Sequence, residues 1–504
     1  MTQRTVRALY VVALACTLLA GSPAWAQQAS GIAGVVRDSS GAVLPGVTVE
    51  VASPALIEKV RTAVTDGQGR FNVVDLRPGT YSVTFSLVGF NTVKREGVQL
   101  TAGFTAAING DMQVGALEET ITVSGETPLI DTQNTRQQKV LSSELLETLP
   151  SGQKTAINVV NLTPGMTTVG LADVGGSLGS YNAGGNGTTF HGKTGFKREF
   201  DGMRVENMEG DGNNGYILNA ITVQETTVET GGVSAESDMS GVAMNMIPKE
   251  GGNTFRFMVS GLFTNEHFAS DNFNDELRAR GVTLPSKVIN IYDGWGTVGG
   301  PIKQDKIWFF AAERIWGNRN QRANTFWNKT QGSPFYTPDP DRPFQPNEYY
   351  KSHSARVTWQ ASQRNKFNFF LDVQKNCKCY SGTGLTAVTT TAPEADAQLR
   401  FWPQFLLQTS WTSPRTDRLL LEGGFSATIS HWPRVANPGV STDSIRITES
   451  STGFVYGARR EIIGARGETV QTNLRLPAQR IARSEGMGFR RQRIDQPARI
   501  RWCV

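Results

Sequence analysis

In two runs, at residues 47–51 and 81–85, apolar side chains fall on every second position: Val47, Val49 and Val51 alternate with Thr48 and Glu50, and Tyr81, Val83 and Phe85 with Ser82 and Thr84. A period of two puts one face of an extended strand in a core and leaves the other polar. Turn-forming clusters bracket these runs, at Asp38-Ser39-Ser40-Gly41, Asp66-Gly67-Gln68-Gly69 and Arg77-Pro78-Gly79. Short strands with a turn about every ten residues predict a small β-sandwich over residues 31 to about 110. From Phe255 a second kind of alternation begins. Phe255 to Thr264, Lys306 to Trp316, Ser354 to Gln360, Lys366 to Gln374, Phe401 to Trp411 and Leu419 to Ile429 each alternate apolar or aromatic residues with polar ones. Long polar, Pro-rich connections such as Gly317 to Pro346 separate some of them. Strands of ~9–11 residues with aromatic ends and alternately long and short connections are how a membrane β-barrel is written in sequence.

The middle of the chain is less periodic. Glu119-Thr120-Ile121-Thr122-Val123 is an isolated polar and β-branched strand within Glu118 to Gly125. Two short helices are expected, one around Ser142 to Leu149 stopped by Pro150, one around Gln153 to Leu162 stopped by Pro164-Gly165. Residues 175 to 187 are rich in Gly, Asn and Ser and predict a loop.

Composition narrows the class. The 504 residues allow about three domains on a prior of ~150 residues each. With 19% charged and 38% apolar residues the chain is not a disordered polyelectrolyte, and its 53 glycines lack the three-residue period of collagen. No run of ~18 apolar residues follows residue 26, which excludes helical membrane spans. The net charge of +5 is a property of one end: eight arginines between Arg475 and Arg501, against Glu485 and Asp495, put +6 there and leave −1 for the rest. Nucleic-acid binding needs charge on a folded face, so no nucleic-acid partner is expected.

Residues 1–26 read as an export signal: Arg4 and Arg7 precede an apolar stretch from Ala8 to Ala20, and Ala24-Trp25-Ala26 is a small-x-small cleavage site. Cys16 has Ala13 where a lipobox wants Leu, which argues against lipid attachment. In the oxidising compartment beyond, Cys377-Lys378-Cys379 is either a local disulfide or an incidental pair. No further Cys or His lies near enough in sequence to complete a metal site, so no metal and no cofactor are expected.

Two motifs match enzymes by letter only. Gly187-Thr188-Thr189-Phe190-His191-Gly192-Lys193-Thr194 spells a phosphate-binding loop, but a Gly/Asn loop precedes it and Gly195-Phe196-Lys197-Arg198-Glu199 follows, where a strand and a helix are required. Gly175-Gly176-Ser177-Leu178-Gly179 spells a nucleophile elbow with no strand leading in. The four histidines form no zinc-peptidase pattern. No catalytic residues are assigned, and the chain is read as not an enzyme.

Several stretches resemble known families. Gly34-Val35-Val36-Arg37-Asp38, Leu44-Pro45-Gly46-Val47-Thr48-Val49, Thr65-Asp66-Gly67-Gln68-Gly69-Arg70-Phe71 and Leu76-Arg77-Pro78-Gly79-Thr80-Tyr81 together resemble a carboxypeptidase-regulatory-like domain. Phe190-His191-Gly192, then Phe200-Asp201-Gly202-Met203-Arg204-Val205, then Val223-Gln224-Glu225 and Val228-Glu229-Thr230-Gly231-Gly232, then the run from Ser240 through Asn245 and Lys249 to Asn253, resemble the plug domain of TonB-dependent outer-membrane receptors. Asp201-Gly202 also reads unaided as a tight hairpin turn. Gly294-Trp295-Gly296-Thr297-Val298-Gly299-Gly300-Pro301-Ile302, leading into Asp305 to Arg314, resembles the early barrel hairpin of the Oar-like branch, which carries a regulatory-like domain in front. The likeness runs from about residue 30 to 430, with His191 standing where many plugs carry Arg.

The resemblance implies a mainly β protein: an N-terminal β-sandwich (27–115), a TonB-box-like segment (116–126), an α/β plug domain (127–253) and an incomplete antiparallel transmembrane β-barrel (254–474), followed by an atypical Arg-rich tail (475–504). It implies a TonB box at Glu119, Thr120, Ile121, Thr122 and Val123, and plug-motif residues His191, Gly192, Asp201, Gly202, Asn245 and Lys249. The implied partners are TonB with its inner-membrane energising complex, outer-membrane lipid and an extracellular ligand whose identity the residues do not reveal. The implied place is the outer membrane, with the N-terminal domain in the periplasm. The chain is expected to be a C-terminally truncated receptor, because six to eight strands fall short of the 22 that close such a barrel. The alternative is an outer-membrane or surface adhesion or carbohydrate-binding protein using the sandwich.

Overall fold

The computed structural model describes residues 30–54, 56, 59–115, 120–124, 137–142, 144–145, 163–168, 188–194, 196–205, 216–231, 242–379, 391–416, 419–431, 434–441, 443–458, 468–480 and 485–494. The export signal, residues 116–119 with Glu119, most of the two expected helices and the loop at 175–187 lie outside the described residues.

The alternating runs near the N-terminus become two facing sheets. Their strands are β1 (Gly31–Asp38), β2 (Thr48–Ala52), β3 (Val60–Val64), β4 (Arg70–Val73), β5 (Gly79–Ser86), β6 (Thr92–Leu100), β7 (Thr105–Ala107), β8 (Gly110–Met112) and β9 (Thr120–Ser124). One sheet has the order β3-β2-β5-β6-β9; in the other β1 pairs with β4, β7 and β8. The inward positions Val47, Val49, Val51, Tyr81, Val83 and Phe85 are all essentially buried, and Phe71 meets Phe85 edge-on at 5.6 Å between the sheets. The Tyr81 hydroxyl donates to the Arg77 carbonyl at 2.6 Å, tying the turn before β5 to the core. β9 is not isolated as the sequence suggested. It adds to the sandwich as a parallel edge strand, with Ile121 opposite Val93 and Val123 opposite Arg95. Its β-branched residues suit pairing, but the parallel partner lies far upstream and leaves no local signal.

The next unit holds β10 (Gln137–Ser142), β11 (Met166–Thr168), β12 (Thr188–Phe190), β13 (Lys193–Thr194), β14 (Phe196–Phe200), β15 (Met203–Arg204), β16 (Val223–Gly231) and β17 (Val242–Pro248). Five of these form a sheet in the order β10-β16-β17-β14-β15, and β11-β12-β13 form a second. Two hairpins turn on two residues with positive φ: His191 and Gly192 at 47° and 78°, Asp201 and Gly202 at 50° and 71°. That backbone is the hairpin turn in which an Asx or His residue followed by Gly costs least. The segment that spelled a phosphate-binding loop is therefore a hairpin with no helix behind it.

From residue 254 the chain builds one long antiparallel sheet. Its elements are β18 (Arg256–Asn265), a short helix α1 (Asp275–Ala279), β19 (Lys287–Lys303), β20 (Ile307–Gln321), β21 (Phe326–Asn328), β22 (Pro338–Pro343), β23 (Asn347–Ser362), β24 (Asn365–Cys379), β25 (Ala397–Thr416), β26 (Leu419–His431), β27 (Arg434–Ala436), β28 (Ile447–Thr448), β29 (Val455–Tyr456), β30 (Glu468–Arg480) and β31 (Glu485–Ile494). The sheet order is β18-β19-β20-β23-β24-β25-β26-β30-β31, with β27 beside β25, and among the described residues it does not close into a barrel. All six segments expected from alternation are strands. β19 escaped that reading because Gly294, Gly296, Gly299 and Gly300 carry no side chain to alternate. The ladder also continues past Leu474, where the pattern was expected to stop, because it is carried by backbone pairing: Leu419 faces Arg480, and Arg480 faces Glu485. Cys377 and Cys379 are joined by a disulfide within β24.

The sheet's two faces are inverted relative to a water-soluble protein. Along β23 the even positions Ser352, Ser354, Arg356 and Thr358 are buried, and along β24 so are Asn368, Asp372, Gln374 and Asn376. The opposite face carries the apolar side chains: Phe257 is 84% exposed, Val259 80%, Phe263 63% and Leu371 41%. Short turns join the strands at one edge and long connections at the other. Apolar residues out and polar residues in is the arrangement a bilayer imposes on a barrel wall.

Candidate functional site

The buried polar face of the sheet grips the unit built by β10 to β17, where the motifs implied a plug. Asp372 accepts from Ser352 (2.8 Å), Ser354 (2.9 Å), Gln374 (2.7 Å) and the Tyr216 hydroxyl. Burial, and then the charge of Asp372, push the Tyr216 phenol well above its ordinary pKa and keep it a donor. The Gln374 amide donates to the Ile217 carbonyl at 2.5 Å and accepts from the Ile217 N–H at 3.3 Å. Asn219 donates to Ser352 at 2.9 Å, and Gln408 to the Phe200 carbonyl at 3.1 Å. Phe370 and Leu406 on the wall complete the plug's apolar core, with Phe200 4.7 Å from Phe370.

At the short-turn edge, sandwich, plug and wall meet around buried charge. Arg356 on β23 donates to Asp201 at 3.0 Å and to Glu250 at 2.7 Å, and Arg77 of the sandwich pairs with the other oxygen of Glu250. Burial alone would raise the Glu250 carboxyl; Arg77, Arg356 and Lys366 outweigh it and hold the pKa at about 2. Asp75 pairs with Lys366 of β24 at 3.5 Å and accepts from Thr412 of β25 at 3.4 Å. The sandwich is pinned to the plug as well. The Ala102 N–H reaches both oxygens of Glu225 on β16 at 3.3 and 3.2 Å, and Gln138 on β10 donates to the Ala102 carbonyl at 2.8 Å. Burial with that one N–H as compensation raises Glu225 to about 7. Asp75, Arg77, Asp201, Glu250, Arg356 and Lys366 line a cleft of about 210 Å³.

The plug-motif residues fall into two groups. Asp201, Gly202 and Asn245 come together: the Asn245 side chain accepts from the Gly202 N–H at 3.0 Å and so holds the Asp-Gly turn under Arg356. Lys249 follows the adjoining strand β17, its N–H donating to the Thr222 carbonyl at 2.7 Å. His191 and Gly192 sit apart on the second plug sheet, where the His191 N–H meets the Gly165 carbonyl at 2.9 Å and the ring packs on Phe190 at 4.3 Å. Thr120, Ile121, Thr122 and Val123 lie on the sandwich edge. Asp75, Arg77, Glu250 and Arg356 were not singled out from sequence; the one available signal was Arg356 standing on the inward phase of an alternating strand. Among the described residues no cluster of His, Cys, Asp and Glu is placed to hold a metal ion.

Residues 31–113 match the carboxypeptidase regulatory-like domain. The chain is 29% identical over 321 residues to the TonB-dependent transporter Oar of Myxococcus xanthus, a match covering 62% of this chain and 29% of that protein. Among solved structures it is similar to the outer-membrane transporter YddB of Escherichia coli (14% identity, TM-score 0.46, 68% of this chain and 45% of that one). It is also similar to a variant of the ferric enterobactin receptor PfeA of Pseudomonas aeruginosa (10% identity, TM-score 0.42, 68% and 45%). The chain thus resembles the TonB-dependent outer-membrane transporters and receptors, as its motifs implied, and spans less than half the length of these relatives. They are transporters and receptors, not enzymes.

Proposed function

We propose that this chain acts in energised uptake across the outer membrane: a ligand is taken at the long-loop edge, and TonB with its inner-membrane complex pulls on residues 119–123 to shift the plug. The observation that carries this reading is the inverted sheet, whose polar face holds the plug through Asp372, Gln374, Gln408 and Arg356. Hydrogen bonds and ion pairs of that kind exchange for water under load more readily than an apolar core does. In this reading the sandwich lies in the periplasm, because Asp75 and Arg77 meet the sheet at its short-turn edge. That docking also weighs against a free carbohydrate-binding module.

The coupling strand is β9. Among the described residues it ends its sheet with one edge unpaired, so a partner strand can add to it or replace β6 beside it. Ile121→Pro removes a ladder N–H. Expected is loss of site-specific crosslinking between TonB and a cysteine at Thr122, with protein level unchanged; undiminished crosslinking rejects residues 119–123 as the TonB box.

A further inference from the structure

Two rows of aromatic side chains mark levels on the outward face of the sheet. Trp359, Phe367 and Trp411 stack across β23, β24 and β25 at the short-turn edge, with centroids 5.4 and 6.5 Å apart. Toward the long loops, Phe263 faces Tyr292, Tyr292 faces Gly317, and Gly317 faces Tyr349 in one cross-strand row. Trp359 and Tyr349 are ten residues apart on β23. At ~3.3 Å per residue and a tilt of ~40° the rows stand roughly 25 Å apart, the height of the apolar band of a membrane barrel.

Around the loop-side row the outward face is basic. Tyr349 faces Cys377 and Ser352 faces Gln374, which sets Lys351 opposite Lys375 between them. Lys375 reaches over the Trp402 ring at 5.9 Å. Arg319, exposed on β20, stands just beyond the row, level with Asn347. None of the three cations has an acidic partner among the described residues. On β20, β23 and β24 the one outward acid, Glu313, is held by His353 at 2.5 Å, and Glu348 points inward to the Tyr350 hydroxyl at 2.9 Å. Adjacent lysines repel across a ladder, and from just inside an apolar band their stems reach outward to its surface. A phosphate at the headgroup level relieves both.

We propose that Arg319, Lys351 and Lys375 bind the phosphate of a lipid in the outer leaflet, whose acyl chains lie along the outward face below Tyr349. The inference rests on the reading of the sheet as a membrane wall. The test is native mass spectrometry of the full chain in mild detergent with phosphatidic acid, and with diacylglycerol of the same chains. Expected are retained phosphatidic acid adducts that fall roughly ten- to thirtyfold in Lys351→Gln/Lys375→Gln and return in Lys351→Arg/Lys375→Arg. Equal retention of diacylglycerol, or unchanged binding by the Gln pair, overturns the site while leaving the wall intact. Displacement of the lipid by millimolar inorganic phosphate overturns the lipid headgroup as its occupant. Retention of neither lipid overturns the wall and the site together.

Discussion

The sandwich and the long sheet are both built from alternating strands, yet they place the same residue types on opposite sides. In the sandwich Val49, Val83 and Phe85 are fully buried, whereas on β24 Phe369 and Leu371 are 43% and 41% exposed while Asp372 and Gln374 are fully buried. Alternation alone tells which residues share a face; it does not tell which face meets solvent. The sign is set by the medium. Water drives apolar area inward at about 25 cal/mol per Å², while in hydrocarbon a polar group without a partner costs several kcal/mol and must turn toward protein. Asp372 satisfies that demand with four hydrogen bonds.

The contrast breaks most forcefully in the cores. Phe85→Ala removes a ring that packs on Phe71 between the two sandwich sheets and is expected to cost about 3–5 kcal/mol. Limited proteolysis of the full chain should then cut within residues 31–113 while the sheet beyond 254 stays protected. Next comes a charge on the outward face. If Leu371 faces lipid, Leu371→Arg costs about 2–4 kcal/mol in a bilayer; if it faces water, the change falls within about 0.5 kcal/mol. Thermal unfolding in reconstituted vesicles separates the two.

The smallest effect lies where the two regions meet, and its sign depends on pH. Glu225, raised to about 7 from 4.5, binds its proton more tightly in the docked state. Its contribution is therefore fully present below about pH 4.5 and lost as pH rises through about 7. Glu250, lowered to about 2, behaves oppositely: its contribution is present above about pH 4.5 and lost as pH falls toward 2. Hydrogen exchange at the Ala102 amide should speed up between pH 5 and 8 beyond the intrinsic trend, and Glu225→Gln should abolish that excess. An excess that persists in the Gln variant assigns it to another group.

What the sequence disclosed was what neighbours in the chain decide. Asp201-Gly202 was legible as a turn because the two residues that need positive φ are adjacent. The division of β23 and β24 into two faces was legible for the same reason, though not which face turns outward. The junction was not. Arg77, Glu250 and Arg356 are brought together by the docking of three units, and a lone Arg in a turn cluster or a strand carries no mark of its partner. β19 was obscured by glycines, and the seat of β9 on β6 by a parallel pairing that follows from tertiary packing.

The membrane wall is the claim on which uptake, coupling and the lipid site all depend, and photo-crosslinking tests it directly. A photoactivatable side chain is placed at Leu371 or at Gln374, three positions along the same strand but on the opposite face, and illuminated in isolated outer membranes. Lipid adducts are expected from position 371, and from position 374 only crosslinks within the chain, to the segment around Ile217. Lipid adducts at 374 equal to those at 371, or none at 371, would contradict that claim.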